Sequence, residues 1–295
     1  MTHSTQIFNL RPARRSRFNR RGLLARFSRN RLGMIALGYI LFLCLVSILA
    51  PLISPYDPTA MNRGKLLIGA FHSGHILGTD ELSRDVLSRL IHGTRITVLA
   101  PVIAVGIALG LGVIPGMIAG YFSGKIDVVI MRVVDALQSF PPLLLAMALV
   151  AVLGSGLVNA MLAVGIVYIP AVVRIVRSSV LAIRKETYVE SALIIGTPIQ
   201  TILRRHILPN AIGPLLVQTS ILAAFALLAE ATLSFIGLGV QAPNASWGSM
   251  LSSGFKMMSR QPTLWIWPAI AIAATVLAWN VIGDALRDSI GREDP

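Results

Sequence analysis

The sequence predicts an all-α polytopic membrane protein with six transmembrane helices, and three observations lead to this prediction. Of its 295 residues, 55% are hydrophobic and only 13% are charged, which is about half the charge of an ordinary soluble domain. The mean hydropathy is +0.73. The apolar stretches are long enough for helices to cross a bilayer, whereas a membrane β-barrel would show short alternating segments.

Six apolar stretches predict the spans, at 32–53, 96–122, 126–153, 157–176, 215–238 and 263–286. The first is too long for a cleaved signal and has no small-residue cleavage site after it, so we predict a retained helix. The third has Arg132 and Asp135 in its first half, which predict an ion pair on one helix face. Pro141 and Pro142 interrupt this stretch, so we expect an amphipathic entry that kinks and then crosses. The single cysteine, Cys44, excludes an intrachain disulfide.

The basic residues predict the topology. With the N-terminus inside, the inner segments hold 19 of the 26 Lys and Arg residues and the outer segments hold 7. Both termini and the polar segment between the fourth and fifth spans should therefore be cytoplasmic. The arginine-rich segment 1–31 should lie on anionic lipid, and a nucleic-acid role is disfavoured because nothing folded accompanies it. We divide the rest into an extracytoplasmic segment at 54–95, with an interfacial helix, and a core domain at 96–290 with a cytoplasmic loop at 177–213.

The second span and the segment before it carry two further patterns. Thr79, Asp80 and Glu81 predict the start of a separate short helix over 81–92, since acidic residues favour a helix N-terminus. Small-xxx-small spacing within the span predicts close packing against another helix. The glycines in this pattern are Gly106, Gly110, Gly112, Gly116 and Gly120.

The loop at 177–213 predicts two short capped helices. Thr187 and Glu190 fit a capping box, with the Thr187 hydroxyl accepting from the Glu190 amide and the carboxylate reaching back. Gly196 suits the left-handed residue that follows a helix. Thr197 predicts the cap of a second helix, which should end before Pro209.

The first of these helices has more apolar side chains than its short neighbour could bury. Val189, Ala192 and Leu193 lie beside Tyr188, and the helix contains no basic residue. A helix that lies on the membrane surface carries Lys and Arg on its polar face. We therefore predict that this helix fits the groove of a partner protein.

The same loop resembles the permease subunits of binding-protein-dependent ABC importers. Their pattern is E-A-A, three residues, Gly, nine residues and I-x-L-P. The chain has Glu190-Ser191-Ala192, Gly196 and His206-Ile207-Leu208-Pro209, departing at Ser191 and His206. Three more stretches resemble the dipeptide and oligopeptide branch: HILGTDELSRDVLSRLIHGTR at 75–95, LSFIGLGVQAPNASWGSML at 233–251 and NVIGDALRD at 280–288.

The resemblance implies the type I ABC importer permease fold in a bacterial inner membrane. It implies a homologous second permease, two ATPase subunits or domains that hold ATP and Mg, and an extracytoplasmic substrate-binding protein. Short peptides are the implied substrate, with nickel complexes or glutathione as alternatives. The first helix of the loop would be a coupling helix in a groove of the ATPase. The residues to which the resemblance gives this coupling role are Thr187, Tyr188, Glu190, Ser191, Ala192, Gly196, Thr197, His206, Leu208 and Pro209.

We expect no catalytic residue, metal or cofactor on this chain. It has no G-x-x-x-x-G-K-[ST] loop, so the nucleotide must bind elsewhere. An intramembrane enzyme is disfavoured because the histidines lie in loops or near the N-terminus. An ion-coupled secondary transporter would carry internal repeats and several carboxylates at mid-membrane. The five histidines are His3, His72, His75, His92 and His206.

Glu230 is the only carboxylate deep within a predicted span. Two interpretations stay open: a polar contact on the transport pathway, or a hydrogen-bonded carboxyl that holds this helix to a neighbouring subunit. The segment 239–262 is too polar to span. Its length and its expected exposure suggest Gln241, Asn244 and Trp247 as contacts of the binding protein.

Overall fold

The computed structural model describes residues 20–61, 66–72 and 74–291, and these residues fold into helices and connecting turns. Most of the arginine-rich segment lies outside the described residues, so its contact with lipid stays a prediction. The helices are α1 (Arg20–Phe27), α2 (Arg31–Ile53), α3 (Val86–Phe122), α4 (Gly124–Gln138), α5 (Pro142–Leu153), α6 (Leu157–Ile183), α7 (Thr187–Ile194), α8 (Ile199–Thr201), the π-helix Ile202–Ile207, α9 (Leu208–Phe235), α10 (Trp247–Lys256) and α11 (Ile266–Gly291).

Five described helices are long and apolar enough to cross a membrane, and the pair α4 and α5 provides the sixth crossing if it is counted as one. The axes of α4 and α5 meet at 87°. The predicted kink is therefore close to a right angle. Pro141 and Pro142 explain the break, because proline lacks the amide hydrogen that would continue the helix ladder.

The separate interfacial helix predicted over 81–92 is wrong. Asp85 is the N-cap of α3, its carboxylate accepts from the Ser88 amide at 2.8 Å, and α3 then runs without interruption to Phe122. The residues before it form a turn, in which the Asp80 carboxylate accepts from the amides of Leu82 and Arg84. Side-chain to backbone bonds of this kind compete with helix formation and move the helix start to Asp85.

Close packing of α3 on α6 forms the centre of the fold. A Cβ atom on any of three α3 glycines would lie 2.7–2.8 Å from a valine Cβ of α6, which is closer than side chains can approach. The predicted small-residue packing is confirmed for these three glycines, whereas Gly106 and Gly110 have no such neighbour within 4 Å. The facing pairs, one turn apart, are Gly112–Val172, Gly116–Val176 and Gly120–Val180.

One end of the bundle carries α7, and we call it the α7 end. The first and the last described residues lie at this end too. α9 starts beside α7, and α11 packs antiparallel to it, with Gly283 near Ser220. α1 lies against the end of α11, where Arg26 donates to the Ser289 carbonyl at 3.5 Å. The opposite end, which carries α10, is called the α10 end.

Candidate functional site

α7 is attached to the bundle by one face. Val189 is fully buried and Ala192 is 7% exposed, and both belong to a cluster with Ile202 and Ile207 at the start of the fifth long helix. On the same side, the Tyr188 hydroxyl accepts from Asn210 at 3.0 Å. α7 is thereby joined to the first turns of α9.

The end of α7 has the geometry that Gly196 predicts. This glycine has φ +77°, and its amide donates to the Leu193 carbonyl at 3.0 Å. The next amide, of Thr197, donates to the Ala192 carbonyl at 3.0 Å. This pair of bonds is the Schellman motif, which satisfies carbonyls at the end of a helix.

The start of α7 differs from the predicted capping box. Glu186 is the N-cap, in an extended conformation, and Thr187 is the first helical residue. The Glu190 amide donates to the Glu186 carbonyl at 3.2 Å rather than to the Thr187 hydroxyl. The capping box is wrong because the chain turns into the helix one residue earlier than the sequence pattern indicates.

The second short helix of the loop is not separate. Thr197 makes no cap, α8 starts after Pro198, and the helix continues through the π-helix Ile202–Ile207 into α9. The Leu208 amide donates to the Leu203 carbonyl, five residues back. In a regular α-helix the ring of Pro209 would collide with a carbonyl four residues earlier, and the wider π turn lets the helix pass through it.

The other face of α7 exposes an apolar surface. Ile194 and Ile195 are 85% and 80% exposed, and Leu193 and Ile199 are each 42% exposed. We call these four residues the α7 tip. Glu190 and Ser191 are also exposed beside it, as polar positions on the same helix. A contiguous apolar patch on the exposed surface is typical of a protein interface.

A groove of about 580 Å³ lies between α4, α6 and α9. Arg177 braces its wall by donating to both carboxylate oxygens of Asp127, at 2.5 and 2.6 Å. Arg174 donates to Asp135 at 2.7 Å. The lining residues are Met131, Ala171, Arg174, Ile175, Arg177, Ser178 and Gln218.

The predicted ion pair between Arg132 and Asp135 is therefore wrong. Asp135 pairs with Arg174 of α6, and Arg132 is exposed. The three-residue spacing would allow an ion pair on one face of α4. α4 packs on α6, however, and Arg174 of α6 forms the ion pair with Asp135 instead. The sequence signal for the observed pairing is weak, since it consists of two arginines near the end of one span and two aspartates on the preceding segment.

Glu230 lies inside the protein. It is 1% exposed, accepts from the Ser234 hydroxyl at 2.7 Å and also hydrogen-bonds Ser246, the N-cap of α10. The carboxyl thus ties the end of α9 to the start of α10 within this chain. This arrangement favours the interpretation that the carboxyl holds α9 in place over the interpretation that it contacts solute on the pathway. The partner it holds α9 to, however, is α10 of the same chain and not a neighbouring subunit.

Trp247 is also internal, so its predicted contact with a binding protein is wrong. It is 2% exposed, donates to the Leu90 carbonyl at 2.9 Å and lies directly against Gly93. Its position at the first turn of α10 explains the burial, because that turn packs on α3. Gln241 and Asn244 are exposed at the α10 end and remain predicted contacts.

A buried charged cluster at the α10 end was not recognised from the sequence as a unit. His75 is 2.8 Å from Asp85, and Arg84 donates to Asp80 at 2.7 Å. Arg89 donates to backbone carbonyls at 58 and 243, at 3.2 and 3.4 Å. The cluster joins the segment before α3 to the segment before α10. The stretch 75–95 that carries it gave two sequence signals, a helix start at Thr79, Asp80 and Glu81 and a resemblance to a family pattern, and neither indicates a buried charged cluster.

Metal-binding geometry is not found in the part of the chain that the structure describes, where no group of three or more His, Cys, Asp or Glu side chains is positioned to hold an ion. The candidate site therefore consists of the exposed apolar α7 tip and of the ion pairs that join α4 to α6. An exposed apolar tip of this kind is suited to docking against another protein.

Comparison with known proteins gives consistent results. Residues 112–293 match the family described as binding-protein-dependent transport system inner membrane component. Residues 21–68 match the N-terminal transmembrane domain of oligopeptide transport permease C.

Two curated relatives and one solved structure extend this similarity. The dipeptide transport system permease protein DppC of Haemophilus influenzae is 40% identical over 269 residues, covering 90% of this chain and 91% of that protein. The glutathione transport system permease protein GsiD of Escherichia coli is 42% identical over 271 residues, covering 90% and 88%. The inward-facing MetNI methionine ABC transporter shares the fold, with a TM-score of 0.58 at 16% identity, covering 69% of this chain and 97% of that chain.

Proposed function

Because the chain belongs to the family of binding-protein-dependent transport system inner membrane components, we propose that this ABC importer permease subunit forms one half of a transmembrane pathway for short peptides. The substrate class is supported by two relatives that match over most of their length. One is named for dipeptide transport and the other for transport of glutathione, which is itself a tripeptide. Glutathione is therefore the alternative substrate within the same class.

ATP hydrolysis on partner subunits drives the transport, and the α7 tip is the observation that carries this part of the proposal. Four apolar side chains, between 42% and 85% exposed, lie at one end of a helix that is anchored on its other face. A groove on an ATPase subunit would bury them. ATP and Mg bind to that subunit and not to this chain.

Motion of α7 reaches the membrane through a short physical connection. Val189 and Ala192 hold α7 on the start of the fifth long helix, and Tyr188 is hydrogen-bonded to Asn210 of the same helix. That helix is continuous from Ile199 to Phe235. A displacement of α7 by closure of the ATPase pair is thus passed to a span that crosses the whole bilayer.

The α7 end faces the cytoplasm, as do both termini, and the α10 end faces the binding protein. The excess of basic residues in the inner segments supports this orientation. A homologous second permease completes the pathway. Apolar side chains exposed on the predicted spans, such as Val152 of α5 at 86% and Phe225 of α9 at 53%, are available for contact with this subunit or with lipid.

The test is transport by the intact complex in proteoliposomes. Uptake of labelled alanyl-alanine should require internal ATP and the external binding protein, and an uncoupler should leave it unchanged. Glutathione serves as the competitor that separates the two substrates. Uptake that persists without ATP and stops with the uncoupler would contradict the proposal and indicate an ion-coupled transporter.

A further inference from the structure

The short helix α1 is held against the ends of two spans at the α7 end. A Cβ atom on Gly33 of α2 would lie 3.4 Å from the ring of Phe27, the last residue of α1, and 2.6 Å from the Cβ of Ala285 of α11. Arg26 donates to the Ser289 carbonyl at 3.5 Å. α1 is therefore fixed where the start of α2 meets the end of α11.

This position is at the boundary between hydrocarbon and headgroups. α2 has 23 residues and is about 35 Å long, slightly longer than a hydrocarbon core of about 30 Å. Its apolar run begins at Leu32, directly after Arg31. Arg29 and Arg31 thus lie at the level of the lipid headgroups, and the proposed orientation puts this level on the cytoplasmic side.

α1 exposes an apolar edge beside the lipid-facing surface of α2. Leu32 and Ile35, in the first turns of α2, are 68% and 69% exposed, and Leu24 of α1 is 67% exposed. Leu24 lies one helical turn before Phe27, which contacts Gly33 and so brings α1 to the start of the span. The exposed apolar surface of α2 therefore continues onto α1, and contact with acyl chains would remove it from water.

The charge beside this apolar edge is of one sign. Residues 1–31 contain nine arginines and no aspartate or glutamate. Arg29 and Arg31 are exposed, and neither guanidinium has an ion-pair partner among the residues that the structure describes. A helix with an apolar edge and basic residues beside it binds the surface of an anionic bilayer. α7 differs from α1 in this respect, because it exposes apolar side chains without a basic residue.

We propose that α1 is an interfacial helix that binds anionic phospholipids of the inner leaflet. Leu24 enters the boundary of the acyl chains, and Arg29 and Arg31 bind the phosphate groups of the lipid headgroups. Guanidinium groups suit this role, because they donate two parallel hydrogen bonds to a phosphate. The bound lipid holds α1, and with it the start of α2, against α11. The inference uses the proposed orientation of the chain and is independent of the transported substrate.

The first test measures where Leu24 lies. An environment-sensitive fluorescent amino acid replaces Leu24 in the intact complex, which is reconstituted in phosphatidylcholine with or without phosphatidylglycerol. Its emission should shift to the blue when phosphatidylglycerol is present, and phospholipids brominated near the headgroup should quench it. Ala25 is the matched control, because it is exposed about 100° further around α1, and its emission should stay that of a group in water.

Three outcomes of this test would overturn the inference. One is an equal emission at positions 24 and 25. Another is a blue shift at position 24 without quenching by brominated lipid, which would mean that a protein covers α1. The third is an equal shift with and without phosphatidylglycerol, which would remove the role of anionic lipid.

The second test measures the contribution of the two arginines. Phosphatidylglycerol is titrated into the detergent-solubilised complex that carries the fluorescent residue at position 24. Replacing Arg29 and Arg31 together by Gln should raise the concentration for half of the shift by about 5-fold per arginine, since each basic residue near an anionic surface contributes about this factor. Replacing both by Lys keeps the charge and should keep most of the affinity.

Arg204 and Arg205 provide the matched control for charge. Both are exposed at the α7 end, on the segment before α9, and replacing the two by Gln removes the same charge away from α1. This variant should bind phosphatidylglycerol like the wild type. A similar loss in both double variants would show a general effect of net charge and would overturn the assignment to Arg29 and Arg31. Neither test uses peptide or ATP, so a negative result leaves the proposed function intact, whereas failure of ATP-driven uptake would leave the lipid contact intact.

Discussion

Replacement of Gly196 by Val tests the geometry of the coupling loop. Gly196 has φ +77°, and no atom lies within 4 Å of the position where its Cβ would be. The substitution therefore creates no clash, and its effect comes from the backbone alone. A residue other than Gly in the left-handed conformation costs about 1–2 kcal/mol.

This cost acts on the end of α7. The two hydrogen bonds of the Schellman motif, from the amides of Gly196 and Thr197, depend on the left-handed turn. When they are weakened, the α7 tip loses its fixed orientation. A change of 1–2 kcal/mol shifts an equilibrium by about 5- to 30-fold, so we expect binding-protein-stimulated ATP hydrolysis and peptide uptake to fall by a factor in this range.

The assay compares purified, reconstituted complexes. Gly196→Asn is the matched control, because asparagine tolerates the left-handed conformation, and it should keep most of the activity. All variants should insert and should be measured for assembly with the ATPase subunits. Wild-type activity in the fully assembled Gly196→Val complex would refute the reasoning.

Three further predictions concern the bundle. Gly116→Ala should destabilise the protein by about 1–3 kcal/mol in thermal unfolding, since its Cβ would lie 2.8 Å from a valine Cβ, whereas Gly110→Ala has open space and should not. Trp247→Ala should cost about 3–5 kcal/mol in the same measurement, because the removed side chain is 2% exposed; equal stability to wild type would refute its structural role. Asp127→Asn should weaken the interaction between α4 and Arg177 of α6 by about 1–2 kcal/mol and thereby increase proteolysis near α4. Unchanged proteolysis would contradict the role of the Arg177–Asp127 ion pair in fixing α4.

The sequence predicts the elements whose signals are local. Long apolar runs are sufficient to identify the spans, and the left-handed turn at Gly196 follows from residue type and position. The close packing of α3 could also be predicted, because small residues at four-residue spacing form a continuous flat face. Which glycines of α3 take part could not be predicted, since Gly106 and Gly110 have the same local pattern but no neighbour within 4 Å of a Cβ position.

Two failures arise because tertiary contacts override local signals, and another arises because a local π turn accommodates a proline. Pro209 predicts the end of a helix, yet a π turn before it lets the helix continue into the membrane. Asp135 has a basic neighbour on its own helix and pairs with Arg174 of another. Trp247 lies in a polar, loop-like stretch and is buried by packing on Gly93. For Asp135 and Trp247 the deciding partner, Arg174 or Gly93, is far away in sequence.

The most direct test of the coupling assignment is photocrosslinking from the α7 tip in the intact complex. A photoreactive amino acid at Ile194, which is 85% exposed, should crosslink to the ATPase subunit, and the same amino acid at Leu41 of α2 should not. The yield from Ile194 should change when nucleotide closes the ATPase pair. Crosslinks from Ile194 to lipid alone, or none to the ATPase subunit in any nucleotide state, would contradict the assignment.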